Sequence, residues 1–464
     1  NSPEFFIAHK MESWEIIFLT FFVCVVAPSA LGFFCTAIDY ILPRVGAMIY
    51  FIVILLIAAL FAFYLLNSFF ALSLPLLIVV GLIFSFGFAA FIFTSQDLSR
   101  FLSFLGILVA CIIPINFLFF SPVSDIVRVG TLGPTDFPSF SADTPIVLVV
   151  FDEFNLSAIL EAETQIDRVR FPNFAAFADG ATWFPNATTA SPYTAFALPA
   201  VLTGKRPGRD RSLPNFSSHP DNLLAWLGSN YDANIIEAVT NLCPDEVCET
   251  IARQDTPKYV QLTKDVLVVY AYLILPAHLH AEFLPSLEND WKGFGAAELN
   301  QSRQLFANAS KSIRGGRHIV FDTFLNEIEA GNGTVDFLHI LLPHIPYDYL
   351  SDGRAYQGGA TVGLAEGNKW QSNDLLVSQA YWRYLQQVGF VDKFIKRLVS
   401  RLEETGKYDE ALVILTADHG SSFVPGQSVR NLSNETAASV LRVPLMVKLP
   451  FQKEGRVDLR HASN

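Results

Sequence analysis

Residues 145–153 read Pro-Ile-Val-Leu-Val-Val-Phe-Asp-Glu, and the fold is decided by how this stretch is read. An unbroken apolar, largely β-branched run ending in two acids is the pattern of a strand buried on both faces of a parallel sheet; a strand with one wet face would alternate. Val335–Leu342 and Ala411–Thr416 have the same character, and Tyr381–Thr405 has the periodicity of a long amphipathic helix feeding the second of them. Strands alternating with helices predict an α/β sandwich with a mostly parallel sheet.

In open α/β sheets ligands bind beyond the carboxyl ends of the strands, so the residues that follow each run matter most. The first run ends at Asp152-Glu153 and the last at Asp418-His419-Gly420, within ILTADHG. The middle run carries His339 and leads into His344, within LHILLPHIPY. Oxygen and imidazole donors gathered at one sheet edge suit a divalent cation, Zn²⁺ or Mn²⁺ ahead of Mg²⁺ or Ca²⁺.

A further stretch supplies a nucleophile. Residues 186–207, NATTASPYTAFALPAVLTGKRP, begin polar and turn into an apolar run closed by Leu202-Thr203-Gly204. This is the look of a loop delivering a hydroxyl to the start of a buried helix, where unpaired N–H groups and the positive dipole end hold an anion. Thr194 stands at the junction. A hydroxyl needs a base or a metal to ionise it, and the acids and His419 provide for a metal. Lys205 is a candidate cation beside the anion, or simply a lysine favouring the helix dipole.

Each residue also has a plainer reading. An Asp after a strand is often the N-cap of the next helix. His339 reads equally as a satisfied core histidine. Thr188, Thr189 and Ser191 read as loop or capping hydroxyls. His344, between Pro343 and Pro346, sits in an extended loop that favours contact over packing. It is the conjunction at the strand ends that points to chemistry.

Outward from the α/β region, apolar residues crowd into the first 120 positions. Trp14–Ile38, Ala47–Leu66, Phe69–Phe93 and Phe101–Phe120 are each long enough to cross a bilayer as a helix. Arg44 and Arg100 fall between spans one and two and between three and four, whereas Asn67-Ser68 between the middle pair is uncharged. The positive-inside rule then places everything after Phe120 outside the cytoplasm. The expected organisation is a transmembrane helical domain at 1–120, a linker at 121–144 and a catalytic domain at 145–464. A transporter is disfavoured because the spans carry almost no charge to line a path.

The net charge of −12 argues against nucleic acid as a partner. Cys24, Cys35 and Cys111 lie in apolar runs and read as inert thiols. Cys243 and Cys248, in LCPDEVC, can close a small disulfide loop outside the cytoplasm; a metal pair is the rival reading.

From about Pro145 onward the chain resembles the sulfatase branch of the alkaline phosphatase superfamily. FPNFAAFADGATWFPNATT (171–189) is similar to the run leading to that family's nucleophile, ADHG (417–420) to its second metal-binding segment, and RVPLMVKLP (442–450) to the strand that follows. The resemblance implies Asp152, Thr194, Asp418 and His419 around a metal, with His344 touching the transferred group; Glu153, His339 and Lys205 are further candidates for contact with the substrate. Two departures bear on the chemistry. Sulfatases carry Cys or Ser in C/S-x-P-x-R, matured to formylglycine; here Thr194 holds that position and Leu198 that of the Arg. No Lys-Trp-His segment follows LLAWLGSNYDANII (223–236).

A Thr nucleophile is instead what membrane-anchored phosphoethanolamine transferases and lipoteichoic acid synthases use. Those relatives usually have five spans, so a further span upstream is expected, as is continuation beyond His461-Ala462-Ser463-Asn464. The sequence thus predicts a membrane-bound, metal-dependent hydrolase or transferase. It cleaves a phosphoester of a membrane lipid or cell-envelope glycan at the outer face of a bacterial membrane. The alternatives are a true sulfuric ester hydrolase and a non-catalytic membrane binding module that keeps the fold.

Overall fold

The computed structural model describes residues 3–9, 11–69, 74–128, 143–208, 212–244, 258–275, 317–355, 361–365 and 367–463. Most of the expected linker, 129–142, and Cys248 lie outside them. Cys243 is disulfide-bonded. The chain forms two compact units, and the division differs from the expected one. The unit containing the N-terminal helices also takes in a helix at Lys258–Ile274 from Gln261 onward, in the middle of the α/β sequence.

In the helical unit, among the described residues, four helices are long and apolar enough to cross a membrane: Ser13–Ile41, Pro43–Leu66, Pro75–Thr94 and Gln96–Phe120. No more than 28% of each helix's most apolar window is buried, so most apolar side chains face outward, as in a lipid-solvated helix. Three details differ from the sequence reading. Asn67 and Ser68 are not a loop: the second helix runs from Pro43 to Phe69, since Asn and Ser each cost a helix only about 0.7 kcal/mol or less relative to Ala. Arg44 lies in the first turn of its helix and Arg100 at the start of the second turn of its own, rather than in loops. The last helix begins at Gln96, where Ser95 caps the Leu98 N–H.

In the other unit, among the described residues, a seven-stranded sheet carries β1 (Ile146–Asp152), β2 (Thr182–Trp183), β3 (Asp232–Ile236), β4 (Thr334–Pro343), β5 (Leu412–Ala417), β6 (Leu445–Lys448) and β7 (Arg456–Val457), in the order β7-β2-β6-β5-β1-β4-β3. The four strands β3, β4, β1 and β5 are parallel; β6 pairs antiparallel with both β5 and β2. Along β1 the side chains alternate between two cores. Val147, Val149 and Phe151 share a core with residues of the long helix Asp374–Glu404, while Leu148 and Val150 share another with Leu198 and Leu202 of the helix Thr194–Thr203. Burial on both faces explains why the run reads as continuously apolar.

The long helix starts earlier than the sequence suggests. Asn373 caps it by accepting from the Leu376 N–H, and Asp374 in the first turn favours the dipole.

Candidate active site

The carboxyl ends of β1, β4 and β5 lie side by side. The register between β1 and β4 shifts at Phe151/Asp152, so that Asp152 pairs with Pro343. Such an irregularity re-aims a side chain at a strand end. Beyond β5, one ligand atom each of Asp152, Asp418 and His419 lies within 4.8 Å of the others. His419 Nε2 is 3.6 Å from Asp152 Oδ1 and 3.7 Å from Asp418 Oδ2. The Nδ1 of His419 lies 2.9 Å from the Gly420 carbonyl. A carbonyl can only accept, so Nδ1 carries the proton and the Nε2 lone pair points at the acids.

Thr194 reaches this cluster from the helix Thr194–Thr203, its Oγ1 3.3 Å from His419 Nε2. The helix begins without a side-chain cap at Tyr193, so its first N–H groups are directed to whatever lies before them. It ends at Gly204, whose φ of 65° closes the last turn. Lys205 follows that glycine and is therefore at the wrong end. Ten helical residues separate the two ends by about 15 Å. Lys205 is exposed and pairs with Asp221 at 3.6 Å, and the structure does not bring it to the cluster.

Glu153 points elsewhere than Asp152. Its φ of 61° is unusual for a residue with a Cβ. It is held there because its N–H donates to Asp418 Oδ1 at 3.2 Å while its own Oε2 accepts from the Ile345 N–H at 3.2 Å. Glu153 also lies 3.8 Å from His344 Nε2 and 3.5 Å from Arg430 Nε. His344 has Nδ1 2.6 Å from the Ile345 carbonyl, which leaves Nε2 to accept from Arg430 Nη2 at 3.0 Å. The loop bearing His344 is clamped from behind. Arg317 donates to the carbonyls of His344, Ile345 and Pro346, and Gln387 Nε2 to those of Pro343 and His344. His339 is fully buried in mid-strand, with Nε2 3.9 Å from Asp418 Oδ2.

The sequence reading missed Arg430. It is a lone basic residue in the polar loop SVRNLSN, with no local pattern to mark it. The only available hint was arithmetic, since several buried acids at one sheet edge require cations from somewhere. The guanidinium also lies 5.5 Å from the ring centroid of Tyr193, directly before Thr194. Arg317, Gln387 and Tyr193 were missed for the same reason.

The electrostatics fit a cation-binding site. Burial, then the neighbouring Asp418, pushes the Asp152 carboxyl well above its usual range. Burial pushes Asp418 up to about 7, against the nearby Thr194 hydroxyl and the hydrogen bonds from the N–H groups of Glu153 and His419. Burial, with Arg430 beside it, lowers His419 to about 3, and burial alone lowers His339 to about 3. Burial, Arg430 and Arg317 hold His344 neutral. Burial works against the charge on Arg430, but Glu153, Asp152 and Asp418 outweigh it and raise its pKa. Asp152 Oδ1 and Asp418 Oδ2 are buried with no hydrogen-bond partner among the described residues. Buried carboxylate oxygens are normally satisfied, and these two face the same space as His419 Nε2 and the Thr194 hydroxyl. The donor set of two carboxylates, an imidazole and a hydroxyl fits a divalent cation.

Residues 145–464 match the Sulfatase family, and the chain belongs to it. It is an enzyme of the alkaline phosphatase superfamily, and members of the family generally use a divalent metal. No curated protein matches the chain. Among solved structures it is similar to the phosphonate monoester hydrolase of Agrobacterium radiobacter, at 15% identity over 69% of this chain and 71% of that one, with a TM-score of 0.39. Phosphonate monoester hydrolase SpPMH from Silicibacter pomeroyi gives 15%, 69%, 71% and 0.43, and a putative sulfatase from Bacteroides fragilis 13%, 72%, 73% and 0.39. Resemblances this distant fix no substrate.

Proposed function

We propose that this protein is a membrane-anchored phosphoester hydrolase or phosphotransferase in which Thr194 is the nucleophile. The observation that carries the reading is the Thr194 hydroxyl at a helix N-terminus, 3.3 Å from His419 Nε2 and facing the orphaned oxygens of Asp152 and Asp418. Asp152, Asp418, His419 and Thr194 would hold a divalent cation, Zn²⁺ or Mn²⁺ ahead of Mg²⁺ or Ca²⁺. When bound it supplies Lewis acidity and makes a hydroxyl easier to ionise.

The remaining roles fall to this chain's own residues. Asp418, whose Oδ2 has no hydrogen-bond partner among the described residues and lies beside His419 and Thr194, would accept the hydroxyl proton. Thr194 Oγ1 bonds to phosphorus as the bond from phosphorus to the leaving oxygen breaks, and the leaving group takes a proton from solvent. Water or an acceptor hydroxyl then cleaves the threonyl phosphoester and regenerates the hydroxyl. Arg430 and the free N–H groups at the start of the helix face the charge that develops on the phosphoryl oxygens. His344, neutral and oriented by the Ile345 carbonyl, aligns the Arg430 guanidinium.

The side chain itself favours phosphate over sulfate. Maturation to formylglycine oxidises a primary Cβ, and the extra methyl of threonine would give a ketone instead of an aldehyde. Arg44 and Arg100 support an outer-face location for the catalytic unit in a bacterial membrane, where envelope glycans and lipid head groups are the available substrates. The test compares an aryl phosphodiester with an aryl sulfate on one metal-loaded preparation. Turnover of the phosphodiester, lost in Thr194→Ala with metal retained, supports the reading. Preference for the sulfate would favour a sulfuric ester hydrolase, and turnover of neither a binding module.

A further inference from the structure

The helix Lys258–Ile274 has no part in the site. Val260, Val266, Leu267, Val269, Tyr270 and Leu273 are all exposed, whereas Leu262 and Asp265 are buried. At 100° per residue the exposed apolar residues cover about half of the helix surface. A water-facing helix of an ordinary domain does not present such a face.

Three observations identify what covers it. The helix from Gln261 onward belongs to the compact unit of the four membrane-length helices, although the strands before and after it belong to the other unit. It is not a further crossing. β3 precedes it and β4 follows it, and the two pair as adjacent parallel strands. The chain therefore returns to the side it left. Residues 276–316 include Glu282, Glu288, Asp290, Lys292, Glu298, Arg303, Lys311 and Arg314, and hold no apolar run of the roughly 20 residues that a return crossing needs. Lastly, Lys264 and Asp265 sit in mid-helix, where a spanning segment would carry them to the bilayer centre.

We infer that Lys258–Ile274 lies in the plane of the membrane, with its Val266-Leu267-Tyr270 face in the acyl and headgroup boundary of a lipid bilayer. Such helices combine a broad apolar face with low overall hydrophobicity, and tyrosine favours the headgroup level. The excursion between β3 and β4 thus ties the α/β sequence to the lipid surface a second time. The inference rests on the N-terminal helices being spans but not on the chemistry at Thr194.

The test uses the full chain, with Cys24, Cys35 and Cys111 replaced by alanine, reconstituted in phosphatidylethanolamine–phosphatidylglycerol vesicles. A nitroxide is attached in turn through Leu267→Cys, Val266→Cys, Lys264→Cys and, on the fourth span, Phe104→Cys. Collision with oxygen is compared with collision with a water-soluble nickel chelate. Oxygen should dominate at 266 and 267 at shallow depth, nickel at 264, and oxygen at 104. Nickel dominance, a midplane depth or inaccessibility to both reagents at 266 and 267, with oxygen still dominant at 104, would overturn the in-plane helix alone. Nickel dominance at 104 as well would overturn the membrane reading beneath it.

Discussion

The two ends of the central sheet each bury an ionisable cluster, and they treat it in opposite ways. At the amino ends of the strands, Asp336 of β4 accepts from Asn234 Nδ2 at 3.0 Å and lies 3.4 Å from Lys407 Nζ, which also donates to Thr334 at 2.8 Å. The protein supplies its own cation there. At the carboxyl ends, Asp152 and Asp418 keep buried oxygens without a hydrogen-bond partner among the described residues. Arg430 stands close by but is engaged with Glu153 and His344. A closed ion pair serves the fold, while an open set of donors is chemically useful because something else must complete it. The contrast separates structural burial of charge from functional burial within one sheet.

The sharpest way to break this contrast is Thr194→Ala. Turnover should fall by about 10³-fold or more, with metal content by elemental analysis and the melting temperature unchanged. Lys407→Met should do the reverse. Leaving Asp336 buried without its cation costs about 3–5 kcal/mol, read as a lower melting temperature of the detergent-solubilised protein, while kcat of the folded fraction stays the same. Arg430→Met should lower kcat by about 10²-fold, as expected for losing one donor to a developing oxyanion, with Arg430→Lys recovering part of it.

The smallest effect concerns pH. With no metal bound, burial pushes the Asp418 carboxyl up to about 7 and the neighbouring Asp152 carboxyl up as well, so an incoming cation must displace protons that are held more firmly as pH falls. Metal affinity should therefore weaken as pH falls below about 7 in a calorimetric titration. The linkage to stability has the matching sign. A carboxyl raised from 3.8 to about 7 on folding stabilises the metal-free fold below pH 3.8, and that contribution is lost as pH rises through about 7. Stabilisation by added metal should accordingly be largest above pH 7.

Much of this was legible in the chain. Strands β1, β4 and β5 were, because burial on both faces writes an unbroken apolar run, and Asp152, Asp418 and His419 stand directly at their ends; the short strands β2, β3 and β7 write no such run. The start of the helix at Thr194 was legible from the switch of a polar loop into an apolar run. Arg430, Arg317 and Gln387 were not. Each acts through contacts tens or hundreds of residues away, and a lone polar residue in a loop or on a helix carries no periodic mark. Lys205 misled because sequence proximity to Thr194 hides a whole helix length between them. The Lys258–Ile274 helix escaped notice because its apolar run is interrupted by Thr263 and Lys264-Asp265, which breaks the run along the sequence without breaking the helical stripe.

The central claim is that the Thr194 oxygen forms a bond to the transferred phosphoryl group. It is tested most directly by acid-quenching the metal-loaded enzyme during turnover of a phosphodiester and mapping peptides by mass spectrometry. A phosphoryl group on Thr194, absent without substrate and absent in Asp418→Asn, is the predicted result. Turnover with Thr194 unmodified at every quench time and the phosphoryl group on another residue would contradict it.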